Sequence, residues 1–135
     1  MIRAVVIGDA GTALDQVVDA LAHTPEIAVA GRLNCRRPIV DALTRMAPDV
    51  TVIQEPTWSP LPEALIREAR HAAPRAALIV RAADATPTWV AEALNAGATA
   101  VLPATVGATA LGRVVAEIVT EHDTAHEALR FGWAA

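Results

Sequence analysis

The order of apolar runs along this chain of 135 residues predicts an α/β domain, doubly wound around a parallel sheet. Two observations carry that reading. Short strand-like runs alternate five times with stretches whose apolar residues recur at helical spacing. The strand-like runs are also nearly continuous in apolar character, as in Val50-Thr51-Val52-Ile53, which suits a sheet covered by helices on both faces. The length fits one domain with a respectable core.

Each element has its own local signal. Ile2 to Ile7 reads as a buried first strand, ended by Gly8 and Asp9. Leu14, Val17, Val18 and Leu21 form the stripe of a first helix, with Asp15 and Asp19 turned away and His23-Thr24-Pro25 as its stop. Ile27 to Ala30 is the second strand, ended by Gly31. Pro38 fits the first turn of a second helix, where its missing N–H does no harm, and Ile39, Leu43 and Met46 give that helix an apolar face. Val50 to Ile53 is the third strand. The stretch Glu55-Pro56-Thr57-Trp58-Ser59-Pro60-Leu61-Pro62 is an extended, stiff loop because of its prolines.

Glu63 to His71 is a third helix and Ala77 to Val80 a fourth strand. Thr86-Pro87 reads as an N-cap with proline at the first helical position. That fourth helix ends at Asn95-Ala96-Gly97, where glycine accepts the left-handed conformation. Ala100 to Leu102 is a fifth strand. The last helix carries Leu111, Val114, Val115 and Ile118 on one stripe and reaches at least His122.

Composition narrows the function. The hydrophobic fraction is 53%, much of it alanine, and aromatics are only 3% with no tyrosine. A net charge of -4 argues against this chain clamping nucleic acid by itself, and its basic residues are scattered except at Arg32, Arg36 and Arg37. The single cysteine, Cys35, has no internal disulfide partner, which suits a reducing, cytoplasmic setting. Met1-Ile2-Arg3 runs straight into a strand, so no signal peptide is expected. No stretch approaches the roughly 20 apolar residues that cross a bilayer.

A set of segments, in order, resembles the receiver domains of bacterial response regulators. Ile2-Arg3-Ala4-Val5-Val6-Ile7-Gly8-Asp9 is similar to the opening strand, and Pro25-Glu26-Ile27-Ala28-Val29-Ala30-Gly31 to the second strand of the NarL/FixJ (LuxR-type) subfamily in particular. Pro48-Asp49-Val50 resembles the approach to the phosphoacceptor strand, and Ala93-Leu94-Asn95-Ala96-Gly97-Ala98 the link between the fourth helix and fifth strand. The likeness covers residues 1–122, leaving 123–135 as a C-terminal helix extension or the start of a linker. It implies a three-layer, flavodoxin-like sandwich with strand order 2-1-3-4-5.

The resemblance also implies a degenerate pocket. The family's pair of acidic residues after the first strand falls on Gly8-Asp9, so Asp9 is a lone, vestigial metal ligand. Its phosphoacceptor aspartate falls on Gln54, and its phosphoryl-sensing hydroxyl residue on Ala82. The aromatic switch falls on Val101, the phosphate-pairing lysine on Ala104, and the proline that often follows on Thr105. Phosphoryl transfer needs a nucleophile, a bridging cation and fixed positive charge, and these replacements remove each. A pseudo-receiver follows: no enzyme, no cofactor, no bound metal. Its expected role is a phosphorylation-independent regulatory module of a two-component-type transcription regulator, acting by protein contact or as a homodimer. In that subfamily a helix-turn-helix domain follows the receiver in the parent protein. The alternative is a small-molecule sensor that uses the emptied crevice.

Other residues carry two readings each. Glu55 could mimic a phosphorylated aspartate only through a bulge, so a solvated loop carboxylate is expected. His122 and His126 share a helix face near Glu121, Asp123 and Glu127, but without a third ligand they read as a polar helix end. Ser59 makes no triad. Arg81 ends an apolar strand and is expected in an ion pair with Asp9 or Glu55, or on an anion. Trp89 is either a binding anchor or folded onto the domain's own surface. Trp89 and Val101, with Leu129, Phe131 and Trp133 beyond the last helix's usual end, form the candidate interaction surface.

Overall fold

Successive residues of a strand face opposite sides of a sheet, and both sides here are apolar. The computed structural model describes residues 1–56, 61, 63–83 and 85–130, with side chains as far as Glu127. Five parallel strands pair in the order β2-β1-β3-β4-β5. They are β1 (Ile2–Gly8), β2 (Ile27–Asn34), β3 (Val50–Gln54), β4 (Ala77–Ala82) and β5 (Ala100–Pro103). Between and after them lie α1 (Thr12–Ala22), α2 (Val40–Met46), α3 (Glu63–Ala72), α4 (Pro87–Ala96) and α5 (Ala108–Arg130).

The period of two divides the core. Ala4, Val6, Val50, Val52, Ala77 and Ile79 face Leu14, Val17 and Leu21 of α1 and Leu111, Val115 and Val119 of α5. Val5, Ile7, Ile53, Leu78 and Val80 face Leu43 of α2, Leu65 and Ile66 of α3, and Ala93 and Ala96 of α4. The result is the expected three-layer sandwich, with all five residues of β3 buried.

Two element ends differ from expectation. Gly31 does not end β2, which continues to Asn34 through an irregularity: Ala4 pairs with Val29 but Val5 with Gly31, leaving Ala30 as the extra residue. A Cβ at Gly31 would lie 2.9 Å from Met46 Cε, the end of a flexible side chain that could shift to admit it. Pro38 lies outside α2, because Asn34 Oδ1 accepts the Arg36 N–H (2.9 Å) and Asn34 O the Arg37 N–H (3.1 Å), turning the chain first. The N-cap of α4 is as expected, with Thr86 Oγ1 accepting the Trp89 N–H and Gly97 at φ 124° after the last turn.

Two close approaches fix the helices. At the amino end of the sheet, Arg70 of α3 donates to Gly97 O (2.9 Å), Pro74 O (3.1 Å), Ala76 O (2.6 Å) and Thr99 Oγ1 (3.2 Å). One guanidinium thus ties the end of α4 to the starts of β4 and β5, and burial lowers its pKa from the ordinary arginine range. On the other side, α5 crosses α1 at Gly112. A Cβ there would overlap Thr24 Oγ1 and lie 2.8 Å from Thr24 Cβ and 3.2 Å from Ala20 O.

Gly112→Ala is therefore a test of that crossing. Alanine gains about 1 kcal/mol in helix propensity, whereas overpacking costs about 1–3 kcal/mol and here also disturbs the Thr24–Ala20 hydrogen bond (2.9 Å). We expect urea denaturation to show a net loss of about 1–2 kcal/mol. A variant as stable as the parent would mean that α1 and α5 separate without cost.

Candidate functional site

The carboxyl ends of β1, β3 and β4 bring Gly8, Gln54 and Arg81 to one crevice. Crevices of this kind are where open α/β sheets place their chemistry. Gln54 is 7% exposed and fully engaged. Its Oε1 accepts from Arg81 Nη1 (2.9 Å), and its Nε2 donates to Glu55 O (3.2 Å). Register explains the first contact, since Gln54 and Arg81 are paired neighbours on adjacent strands. Arg81 Nη2 reaches across to Ala104 O (2.9 Å) and Val106 O (3.4 Å) on the β5–α5 connection.

Arg81 thus departs from its expected ion pair. It bonds neither Asp9 nor Glu55 in any contact among the described residues; its acceptors are an amide and two main-chain carbonyls. Its Nε is buried and has no hydrogen-bond partner among the described residues. Asp9 is instead held by Arg36, at 3.1 Å from Nε and 3.3 Å from Nη2. Glu55 is not a freely solvated carboxylate: it is half-buried, with Oε1 accepting the Ala83 N–H (3.3 Å). Its main-chain N–H bonds Arg81 O (2.9 Å), continuing the β3–β4 ladder.

The surroundings of Gly8 leave little space for a side chain. A Cβ there would lie 2.9 Å from Leu14 Cδ1 and 3.3 Å from Gln54 Cβ. The end of the Leu14 side chain lies in the room that a side chain at position 8 would use. Ala82 is fully buried, Ala104 donates its N–H to Ala82 O (3.0 Å), and Val101 is half-buried against the α2–α3–α4 side of the core. Beside them a cavity of about 270 Å³ remains, lined by Asp9, Ala10, Gly11, Thr12, Ala13, Gln54, Glu55 and Pro56.

The chemistry of this arrangement is limited. A primary amide is a poor nucleophile toward phosphorus and adds no charge for a divalent cation. The nearest fixed charge to Gln54 is a guanidinium, which repels such a cation. Among the described residues no group of three or more His, Cys, Asp and Glu is arranged to hold a metal. His122 and His126 stand with ring centroids 4.3 Å apart, and His122 Nε2 lies 3.0 Å from Arg75 O.

The expected interaction residues separate. Trp89 is half-buried and packs on the core beside α4, so it lies on the domain's own surface, not free of it. Leu94, on the same helix, is 44% exposed, an apolar residue that helical spacing alone did not single out. Trp58, Ser59, Phe131 and Trp133 lie outside the described residues, as does the Leu129 side chain. Leu14 as the neighbour of Gly8, and Arg36 as the partner of Asp9, had no signal in the sequence beyond a stripe position and a basic knot.

No family model matches the chain, and no curated protein is similar to it in sequence. Solved structures are similar in fold. The signal receiver domain assigned to the response regulator NarL of Mycobacterium tuberculosis aligns with a TM-score of 0.76 at 21% identity, over 88% of this chain and 96% of that one. A LuxR-family two-component response regulator from an Aurantimonas species aligns with a TM-score of 0.74 at 15% identity, over 90% of this chain and 86% of that one. A CheY-like receiver domain protein from Methanospirillum hungatei gives 0.73 at 19% identity, over 92% and 98%. The chain has the receiver fold.

Cys35 reports on this corner of the crevice, since its N–H bonds Gly8 O (3.1 Å). Burial first, and the Asp9 carboxylate second, push its thiol above the ordinary range, while its backbone hydrogen bond and Arg36 pull the other way. A raised pKa leaves less thiolate at any given pH. The pH midpoint of alkylation by iodoacetamide should therefore exceed about 8.5, the ordinary thiol value. Asp9→Asn should lower it, and Arg36→Gln should raise it; shifts of the opposite sign would refute this assignment.

Proposed function

We propose that this chain is a pseudo-receiver: a regulatory module of a response regulator that works without phosphorylation. One observation carries the reading most directly. The side chain at the end of the central strand is an amide, and it is bonded to an arginine from within the domain. The receiver fold, with LuxR-family regulators among the similar structures, supports a place in transcriptional control, with a DNA-binding domain as partner. The proposed setting is the cytoplasm. Among the described residues no helix is long and apolar enough to cross a membrane.

The module then acts through contact, with a second copy as the partner. Leu94 and the half-buried Trp89 and Val101 support a face built on α4 and β5. The unbroken run of α5 to Arg130 supports its extension as part of the same contact. The second reading, a small-molecule sensor, draws on the cavity of about 270 Å³. Arg81 and Leu14 occupy much of what would otherwise be open crevice, which weighs against it.

Acetyl phosphate with Mg²⁺, followed by intact-mass measurement, should leave the chain unmodified. A stoichiometric, base-labile phosphoryl adduct would overturn the proposal. Gln54→Asp should also fail as an efficient acceptor. Position 8 supplies no second carboxylate, and Arg81 stands ready to pair with the new one.

Light scattering on the purified chain at micromolar concentration should give a dimer with no phosphodonor present. A monomer whose truncation after Thr120 changes neither solubility nor stability would favour the sensor reading instead.

A further inference from the structure

We propose that Arg81 is a permanent internal clamp that holds the β5–α5 connection in one conformation and thereby removes the need for a ligand at the crevice. The inference deepens the pseudo-receiver reading and rests on it for its regulatory meaning, though not for its geometry. A single planar guanidinium joins three elements. It springs from β4, meets Gln54 Oε1 of β3 at 2.9 Å, and meets Ala104 O and Val106 O of the β5–α5 connection at 2.9 and 3.4 Å. Five N–H donors in a fixed fork make arginine the side chain able to bridge acceptors on both sides at once.

The acceptor on β3 is itself oriented. Gln54 Nε2 donates to Glu55 O, which turns Oε1 toward Arg81, and 7% exposure keeps competing water away. In such a setting charge-assisted hydrogen bonds are stronger than in water, and an acceptor left empty is costly. Among the described residues the segment has few other ties, besides the half-buried Val106 packed on the α1–α5 side of the core. Apart from Arg81, Ala104 N–H bonds Ala82 O (3.0 Å) and Val106 N–H closes a turn on Pro103 O (3.1 Å). Thr105 and Gly107 are exposed.

The consequence reaches α5. Gly107 O accepts the N–H groups of Ala110 (3.1 Å) and Leu111 (3.0 Å), so the clamped segment passes directly into the first turn of that helix. Leu111 then anchors α5 in the core. A connection pinned from inside the domain has no empty and filled states between which a bound group could shift the population. An incoming anion would have to displace Gln54 or the two carbonyls to reach the Nη donors, and the remaining Nε is buried.

Amide hydrogen exchange on Arg81→Met, Arg81→Lys and the parent chain tests this. Methionine keeps much of the apolar stem and makes none of the bonds. Exchange across residues 103–111 should quicken at least tenfold, while β1 and the Arg70-tied segments at residues 76–78 and 97–99 keep the parent rates. Lysine, which can reach one acceptor but cannot fork, should fall between. A uniform rise over the whole sheet, or no change at residues 103–111, would overturn the clamp.

Should Arg81→Met not fold, Gln54→Leu removes only the β3 arm, and parent-like protection at residues 103–111 would overturn the clamp equally. The acetyl phosphate result separates the two proposals. A phosphorylated parent chain ends the pseudo-receiver reading but leaves the exchange pattern as it is, and a failed clamp leaves an unmodified Gln54 chain as it was.

Discussion

The crevice of this protein is organised around a cation from its own sheet. Arg81 sits where the strands end, and its guanidinium is shared between Gln54 and two carbonyls of the β5–α5 connection. A half-buried charge must be satisfied by acceptors or it destabilises the fold. Satisfying it here requires Gln54 to stay an acceptor and the loop to stay close. The amide at position 54 and the course of the chain from Pro103 to Gly107 are thus parts of one arrangement.

That arrangement changes how the pocket is to be understood. The crevice is filled from within: Leu14 lies against Gly8, Arg36 holds Asp9, and Arg81 bridges the centre. A carboxylate introduced at position 8 would meet Leu14, and one at position 54 would meet Arg81. The remaining cavity of about 270 Å³ lies on the β1–α1 side, between Asp9 and Glu55.

The opposite end of the sheet uses the same device for stability alone. Arg70 gathers three carbonyls and a threonine hydroxyl at the starts of β4 and β5 and the end of α4. The two arginines share an economy of design: each replaces several weak loop contacts with one forked donor. They differ in consequence because Arg70 ties segments far from the crevice, whereas Arg81 stands in it. Gly112 completes the frame by letting α5 lie close on α1, which sets where α5 begins as it leaves the clamped segment.

Much of this was legible in the residues alone. Short continuous apolar runs, helical spacing and cap signals identified all ten elements, because burial on both faces of a sheet or on one face of a helix leaves its mark on the sequence. That Gly8, Gln54 and Ala104 carry no charge was equally legible, since it depends only on which residue stands at which place. Element ends were less so: Gly31 read as a stop, but β2 continues through it to Asn34. Partners were not legible at all. Arg81 meets Gln54 because β3 and β4 pair in that register, and Asp9 meets Arg36 because β2 runs beside β1 as far as Asn34. Register and crossing belong to a pair of elements and to neither one alone, so the order and spacing of apolar runs determined the α/β class, while only the tertiary structure decided which side chains meet at the crevice.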